Sequence, residues 1–518
     1  AYISFANCGL PYYVGGAITK KSALTLQTPE SFRTRFGIDV RVNSEVTAVH
    51  PAEKTVEVRT ADGTYTESYD KLILSPGAEP VQPPLPGLPN GRVFTLRTIP
   101  DAVRIRDYVD EEFPDSAVVI GGGYIGVEMA ENLKQSGVET TIVELSDHLI
   151  APLDFDMACE VHQYARSQGL NLVLNNGVTA IEEKGGRLTV KLNEGEIETD
   201  MVILSVGVRP DTALAKAAGL ACSPRGAILV DSRMHTSDEN IYAVGDAVQI
   251  TDFVTKQPGY VPLAGPANKQ GRIAADNICG FPSEYKGTQG SSVLKLFDMT
   301  IAMTGLNERA AQAAGLDYDK MYTYNQSHAS YYPGGHGISM KVLYEKGTGR
   351  LLGAQLIGYD GVDKRCDVLA TAIRANMTAF DLTELELCYA PPFGSAKDPV
   401  NYAGYAIENV LTGKVKTFHW HDVATLPRDG SVTLLDVRTP AERAAGAIDG
   451  FTGIPLDELR QHLDELDPSK PIYVHCQSGL RSYLACRILS GHGFDCYNLT
   501  GGYRFYSLVT KEQKAPEH

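Results

Sequence analysis

Short apolar runs, each closed by glycine or proline, punctuate the first half of the chain. They are Lys71–Ala78, Ala117–Ile120, Met201–Val206 and Ile241–Val244. Runs of this length and ending predict buried strands rather than helices. Between the start and the first run, polar and apolar residues alternate over 40–49, 54–59 and 65–69. Ala61-Asp62-Gly63 there has the composition of a hairpin turn. A proline-rich connection spans Pro80 to Pro89, and helical spacing follows over Asp101–Glu112 and Val127–Ser136.

Residues 293–412 carry strand patterns near Val293–Phe297, Met321–Tyr324, Ser339–Tyr344 and Leu351–Ile357. Helical patterns follow at Asp363–Asn376 and Val400–Thr412. Around Lys416–Asp422 the pattern restarts, in what reads as a linker holding the single tryptophan, Trp420. Strands Val432–Val437 and Pro471–His475 and a helix over Tyr483–Ser490 come after it. The whole is an α/β chain.

One strand carries a specific chemistry. Ala117–Ile120 runs into Gly121-Gly122-Gly123-Tyr124-Ile125-Gly126, then a helix, then a second strand ending in Glu144. G-x-G-x-x-G between strand and helix lets a pyrophosphate approach the free N–H groups and positive dipole end of the helix. An acid about 20 residues on accepts from a ribose 2′-hydroxyl and repels a 2′-phosphate, which favours NADH over NADPH. Gly121, Gly123, Tyr124, Ile125, Gly126 and Glu144 are the expected nicotinamide dinucleotide contacts. Asp246, at the end of strand Asn240–Val244, can hold a ribityl hydroxyl or simply cap a helix.

Composition narrows the partners. At 518 residues the chain exceeds one core and reads as several domains. A net charge of −16 argues against nucleic acid or an anionic membrane as partner. No apolar run reaches the roughly 18 residues that cross a bilayer. The nine cysteines are scattered and odd in number, which fits neither a disulfide framework nor a zinc site and suits a reducing cytoplasm.

Two of those cysteines stand out. Cys8 lies in Ser4-Phe5-Ala6-Asn7-Cys8-Gly9-Leu10-Pro11-Tyr12-Tyr13 with no second cysteine nearby. It is either a small buried hydrophobe or a redox thiol whose sulfur partner comes from elsewhere. Cys476 opens Cys476-Gln477-Ser478-Gly479-Leu480-Arg481-Ser482, a strand-to-helix turn whose N–H groups stabilise an anion on sulfur. Arg481 adds a fixed positive charge there. Cys486 and Cys496 read as structural. Tyr331-Tyr332-Pro333-Gly334-Gly335 and Tyr389-Ala390-Pro391-Pro392, taken alone, read as turns.

In order and spacing, L-S-P-G-A (74–78), G-G-G-Y-I-G-V-E (121–128), S-V-G-V-R-P (205–210) and I-Y-A-V-G-D-A (241–247) resemble the flavoprotein disulfide reductases that bind two dinucleotides. S-F-A-N-C-G-L-P-Y-Y resembles their single-cysteine branch, that of coenzyme A disulfide reductase and the NADH oxidases and peroxidases. Y-Y-P-G-G, G-V-D-K-R-C-D (361–367) and Y-A-P-P (389–392) point to the coenzyme A disulfide reductase side, and C-x-x-G-x-R-S is similar to a rhodanese domain. The resemblance is to the coenzyme A disulfide reductase–rhodanese fusions and covers essentially the whole chain.

It implies two Rossmann-like dinucleotide-binding domains, an α+β dimerisation domain and a C-terminal rhodanese domain. The expected segments are 1–115 and 239–292 for FAD, 116–238 for NADH, 293–416 for dimerisation and 417–518 for the rhodanese. The implied activity is NADH-driven, FAD-dependent reduction of coenzyme A persulfides, polysulfides or coenzyme A disulfide. NADH oxidase or peroxidase chemistry through a Cys8 sulfenic acid is one alternative. A sulfur carrier with an idle flavin module is another.

Carried over by motif, Cys8 is the redox thiol, Ser4 and Asn7 line the coenzyme A site, and Cys476 with Arg481 carries sulfane sulfur. Tyr331 and Tyr389 reach Cys8 from the other subunit of a homodimer. Lys364, Arg365 and Lys397 meet phosphates. Pro76, Gly77, Ala78, Gly245, Asp246 and Ala264 hold FAD, and Gly207 adds to the NADH site. No metal is implied. The family opens with its own strand–G-x-G-x-x-G–helix for FAD, and this sequence begins after it; an N-terminally incomplete sequence is the expected reason. Asn268 and Phe36 depart from the family pattern, standing where relatives often carry a histidine and a basic residue.

Overall fold

The structure is a computed structural model that describes residues 2–88 and 90–514. Ala1, Pro89 at the end of the proline-rich connection, and residues 515–518 lie outside the described residues. Two compact units form. One comprises the chain up to Ala151 with Tyr164–Gly290; the other comprises Pro152–Gln163 with the chain from Ser291.

The first unit is built on a five-stranded parallel sheet. Its spatial order is Asn171–Val173, Glu139–Val143, Ser116–Ile120, Met201–Leu204, Val93–Phe94. Val119 sits at the centre, paired with Ile142 on one side and Ile203 on the other, all fully buried. Both faces of this sheet are covered, which is why these strands are apolar without alternation. A shorter parallel pair joins Leu72–Leu74 to Ile241–Ala243. Glu45–His50, Thr55–Thr60 and Gly63–Ser68 form an antiparallel three-stranded sheet, as the alternating pattern predicts, with Gly63 at φ 131° in the tight turn.

Three helices of this unit position chemistry. α1 (Leu10–Val14) follows a single 3₁₀ turn at Asn7–Gly9 that holds Cys8. α2 (Tyr124–Gln135) is the helix after the glycine motif, and α3 (Ala264–Ile278) follows the Gly245-Asp246 turn. α1 ends hard against α2: a Cβ on Gly15 would lie 2.1 Å from Asn132 Oδ1.

The second unit contains a five-stranded antiparallel sheet. Its order is Ser292–Leu296, Met299–Gly305, Leu351–Gly358, Gly337–Glu345, Tyr318–Gln326. Met299–Gly305 was not evident from the sequence pattern. α4 (Val362–Arg374) and α5 (Pro399–Leu411) pack on this sheet. A second, parallel sheet runs Lys416–Phe418, Cys496–Leu499, Ile472–His475, Thr433–Asp436, Thr452–Gly453, with α6 (Leu480–Gly491) after the Cys476 turn.

The expected linker at Lys416–Asp422 is therefore a correction. Lys416–Phe418 is the edge strand of the parallel sheet, paired with Tyr497–Leu499, and Trp420–Thr425 is a 3₁₀ turn. Trp420 Nε1 donates to Asp156 Oδ2 at 3.2 Å, and His419 Nε2 meets Asp319 Oδ1 at 2.8 Å. A polar core lies beside them. The wholly buried Lys341 ammonium pairs with Asp154 and Asp156, each at 2.8 Å, and with Glu308 at 2.5 Å. Burial alone would push Lys341 down; the three carboxylates override it and hold it above its ordinary range. The three acids converge closely enough to hold a cation, and the Lys341 ammonium occupies that role.

Candidate active site

The glycine motif meets the requirements of a dinucleotide. Gly121 adopts φ 104°, and a Cβ there would lie 2.5 Å from Ser205 O. A Cβ on Gly126 would lie 1.9 Å from Gly121 O, so this glycine lets α2 pack onto its strand. Gly123, the N-cap of α2, has no side-chain cap, and a Cβ there would meet nothing within 4 Å. That open ground at a helix start is where a pyrophosphate fits. Glu144 Oε2 accepts from Gly122 N at 2.6 Å and Oε1 from Ser146 N at 2.8 Å, so its carboxylate is held at the glycine turn. Tyr124 and Ile125 form the first turn of α2. Gly207 adopts φ 101° with open space at its Cβ position.

The residues expected to hold FAD also have suitable chemistry. Gly77 and Gly245 take positive φ, 76° and 80°, at the ends of the two short parallel strands. Pro76 precedes Gly77, and Ala78 begins a strand paired with Val208–Pro210. α3 starts at Ala264 without a side-chain cap, and Gly265 behind it has open space at its Cβ position. Asp246 supplies a half-buried carboxylate, and its backbone carbonyl accepts from Tyr260 Oη. Carboxylate, open glycines and uncapped helix start form a donor and acceptor set that fits the polar side of a flavin.

Arg97, to which the sequence reading assigned nothing, joins this region to Cys8. Its Nη2 contacts Asp246 Oδ2 at 3.3 Å. With the Asn7 amide turned to satisfy both its atoms, Asn7 donates to Arg97 O and accepts from Arg97 Nη1, each at 3.2 Å. Cys8 itself is exposed, and Ser4 lies half-buried in a two-residue strand paired with Thr25–Gln27. One turn beyond Cys8, Tyr12 Oη donates to Glu128 Oε1 on α2 at 3.3 Å. Burial raises Glu128 to about 7, against the lowering effect of that hydrogen bond. No spacing rule links Tyr12 to Glu128, because 116 residues separate them.

In the second unit the two predicted tyrosines meet. Tyr331 Oη and Tyr389 Oη are 2.9 Å apart, and both rings are exposed, at 73% and 48%. The hydrogen bond with Tyr389 raises the Tyr331 pKa. Lys397 is exposed and Lys364 half-buried.

Arg365 corrects an expectation. It is 1% exposed, with Nη2 2.9 Å from Asp398 Oδ2 and 2.8 Å from Ser327 O. That guanidinium is consumed in holding α4 to the start of α5 and does not face a phosphate.

The Cys476 turn is a cradle. Sγ accepts from Gly479 N at 3.1 Å and from Ser482 Oγ at 3.3 Å. Gly479 takes φ 99°, which turns the chain into α6. Arg481 forms a two-pronged ion pair with Glu442, at 2.8 and 2.5 Å. That hydrogen-bonded pair pulls Glu442 down to about 2. Cys486 and Cys496 lie buried in the same apolar cluster as Cys476.

Comparison with known proteins agrees with this division. The pyridine nucleotide-disulphide oxidoreductase family matches residues 2–271, its dimerisation domain 291–399, and the rhodanese-like domain 420–507. A CoA-dependent NAD(P)H sulfur oxidoreductase from Pyrococcus abyssi is 36% identical over 399 residues, covering 77% of this chain and 89% of the relative. The solved structure of reduced CoADR-RHD from Bacillus anthracis superposes with a TM-score of 0.96 at 48% identity, covering 99% of this chain and 92% of that one. The NAD-dependent persulfide reductase from A. fulgidus gives 0.91 at 38% identity, covering 97% and 93%. With a glycine motif built for a dinucleotide, an uncapped helix behind the Gly-Asp turn and matches over almost its full length, the chain belongs to the pyridine nucleotide-disulphide oxidoreductases and carries a rhodanese-like domain behind their dimerisation domain.

Proposed function

We propose that the protein uses NADH to reduce coenzyme A persulfides, polysulfides or coenzyme A disulfide, with Cys8 as the redox thiol and Cys476 as a sulfane-sulfur carrier. The observation that carries this reading is the exposed Cys8 thiol on a helix-starting turn, free of any cysteine partner among the described residues. A thiol so placed is open to a sulfur partner supplied by substrate. The names of the P. abyssi and A. fulgidus relatives, a CoA-dependent sulfur oxidoreductase and a persulfide reductase, support the same chemistry.

In this reading the Cys8 thiolate attacks the coenzyme A sulfur of a coenzyme A persulfide. The S–S bond breaks, hydrosulfide leaves, and Cys8 is joined to coenzyme A by a disulfide. Hydride from NADH supplies two electrons and a proton, returning Cys8 thiolate, coenzyme A thiol and NAD⁺. A bound flavin supplies the two-electron relay between nicotinamide and disulfide, held by Pro76, Gly77, Ala78, Gly245, Asp246 and Ala264. Gly121, Gly123 and Gly126 seat NADH, and Glu144 at the glycine turn favours it over NADPH.

The dimerisation domain supports a homodimer, with the Tyr331–Tyr389 pair of one protomer serving Cys8 of the other. Their mutual hydrogen bond raises the Tyr331 pKa and holds the two hydroxyls together as donors to the departing sulfur. Ser4, Asn7, Lys364 and Lys397 remain the coenzyme A contacts. Nine free thiols suit a reducing cytoplasm, and no described helix is long and apolar enough to cross a membrane. Cys8→Ser should abolish NADH consumption with coenzyme A persulfide under argon; undiminished turnover would sink the assignment. An NADH oxidase, by contrast, would consume NADH in air without any persulfide and has no use for the Cys476 cradle.

A further inference from the structure

Three neighbouring strands of the second parallel sheet end at one edge. Thr433–Asp436 lies between Ile472–His475, which runs into the Cys476 turn, and Thr452–Gly453. Asp436 is in register with His475 on one side and with Gly453 on the other. Adjacent strands lie about 4.8 Å apart, which sets Gly453 about 10 Å from His475. In parallel α/β sheets, ligands bind in crevices outside such carboxyl ends. A cavity of about 360 Å³ is lined by residues that follow two of these ends. Its walls are apolar, from Pro440, Ala444, Ala447 and Pro455, apart from two guanidiniums, Arg438 and Arg443. Small-molecule sites have that make-up, a concave apolar lining with a few placed polar groups.

The two arginines are not equivalent. Arg438 is buried and committed: Nε donates to Asp436 Oδ1 at 3.0 Å, and Nη2 donates to Asp436 Oδ2 and to Gly446 O, each at 2.8 Å. Arg443 has only what is left. Its Nε stands 3.4 Å from the same Asp436 Oδ2 and makes no hydrogen bond among the described residues, while Nη2 donates to Phe451 O at 3.0 Å. One carboxylate therefore faces two guanidiniums. The buried His475, whose Nε2 is 3.4 Å from Asp436 Oδ2, is pushed down to about 4, chiefly by burial, and is neutral at pH 7. Glu442 is paired with Arg481. The cluster thus carries one positive charge in excess, and Arg443 is the partly exposed member of it. The backbone makes room for that side chain: a Cβ on Gly453 would lie 1.5 Å from Arg443 Nη1.

We propose that this cavity is a binding site for a small organic carboxylate, seated on Arg443 beside the strand that carries the Cys476 turn. A single charge in excess matches a monoanion. The planar guanidinium fork fits a carboxylate, and the apolar walls accept a short aliphatic body. A phosphate dianion would leave oxygens unpaired against proline and alanine, which costs free energy. Binding here needs no chemistry at Cys476, so the site stands apart from the sulfane-sulfur carrier reading. Gly453 is part of the seat, because any side chain at that position would drive the guanidinium out of its place.

The test uses the full-length, flavin-loaded protein with sodium butyrate as probe, followed by saturation-transfer NMR at constant ionic strength. The parent should bind butyrate saturably. Arg443→Gln should raise Kd about tenfold or more, the scale of one hydrogen bond to a charged group. Arg443→Lys keeps the charge and loses the fork, so its Kd should fall between the two; it also keeps the test open if Arg443→Gln folds poorly. Gly453→Ala retains the arginine but displaces it, and should weaken binding as well. Inorganic phosphate should bind the parent more weakly than butyrate does. No saturable binding in the parent, or an equal Kd in the parent and Arg443→Gln, overturns the site. Phosphate binding more tightly than butyrate overturns the carboxylate class. Cys476→Ser should bind butyrate as the parent does, so a loss of sulfur transfer in that variant bears on the carrier reading alone.

Discussion

Tyr12 Oη donates to Glu128 Oε1 at 3.3 Å, tying the helix one turn beyond Cys8 to the helix that starts at the dinucleotide motif. Glu131, on the same α2 helix and 2% exposed, faces the pair as a second acid and raises both partners further. A carboxyl pushed up from 4.5 to about 7 holds a proton in the folded protein that it would lose in the unfolded one. Its stabilising protonation is complete below pH 4.5 and is lost as pH rises through about 7. Glu128→Gln, which cannot ionise, should therefore raise the melting temperature at pH 8. The difference from the parent should vanish near pH 4.5, and a constant offset across that range would contradict the assignment.

The glycines of the dinucleotide motif separate into two experimental classes. Gly126→Ala places a Cβ 1.9 Å from Gly121 O, so the helix must shift, and a loss of several °C in melting temperature is expected with weakened NADH binding. Gly123→Ala meets only open space. It should leave the melting temperature alone while raising KM for NADH about tenfold or more, because the methyl group occupies the ground kept clear for phosphate. Differential scanning fluorimetry beside steady-state kinetics distinguishes them.

Removing either hydroxyl of the Tyr331–Tyr389 pair breaks a 2.9 Å hydrogen bond between exposed rings and leaves the fold untouched. Tyr331→Phe and Tyr389→Phe should each lower kcat with coenzyme A persulfide about a hundredfold, the usual scale of one positioned proton donor. The double variant should be scarcely worse than either single one, since groups acting as a unit are not additive. Fully multiplicative losses would mean two independent donors.

Acid stability should follow Glu308. Burial opposes its charge, but Lys341 and Lys320 hold it down at about 2, against 4.5 for a free carboxyl. The depressed value stabilises the fold above pH 4.5 by about 3 kcal/mol, lost as pH falls through about 2. Glu308→Gln should be less stable by that order at pH 7 in urea unfolding, and the gap should close as pH falls toward 2.

Much of this molecule was legible along the chain. Continuous apolar runs named the buried parallel strands, alternation named the hairpin sheet, and the G-x-G-x-x-G between strand and helix located the dinucleotide turn. These signals are local: a strand buried on both faces, a turn needing positive φ and a thiol before a helix each leave their mark within a dozen residues. Cys476 was a candidate for the same reason, whereas the roles of Cys8 and the paired tyrosines came with the family resemblance of their motifs.

What the chain could not disclose is which distant side chains use one another up. Arg365 reads as a phosphate-binding cation until Asp398, 33 residues on, buries its charge. Trp420 reads as part of a linker until Lys416–Phe418 closes the edge of a sheet and its indole finds Asp156. Arg97 between Asn7 and Asp246 and Tyr12 on Glu128 are likewise products of packing. By itself the sequence determined the strands, turns and reactive thiols, because backbone conformation and burial pattern are encoded locally. Tertiary structure alone decided which charges are free, because desolvation and pairing depend on neighbours that only folding brings within a few ångströms.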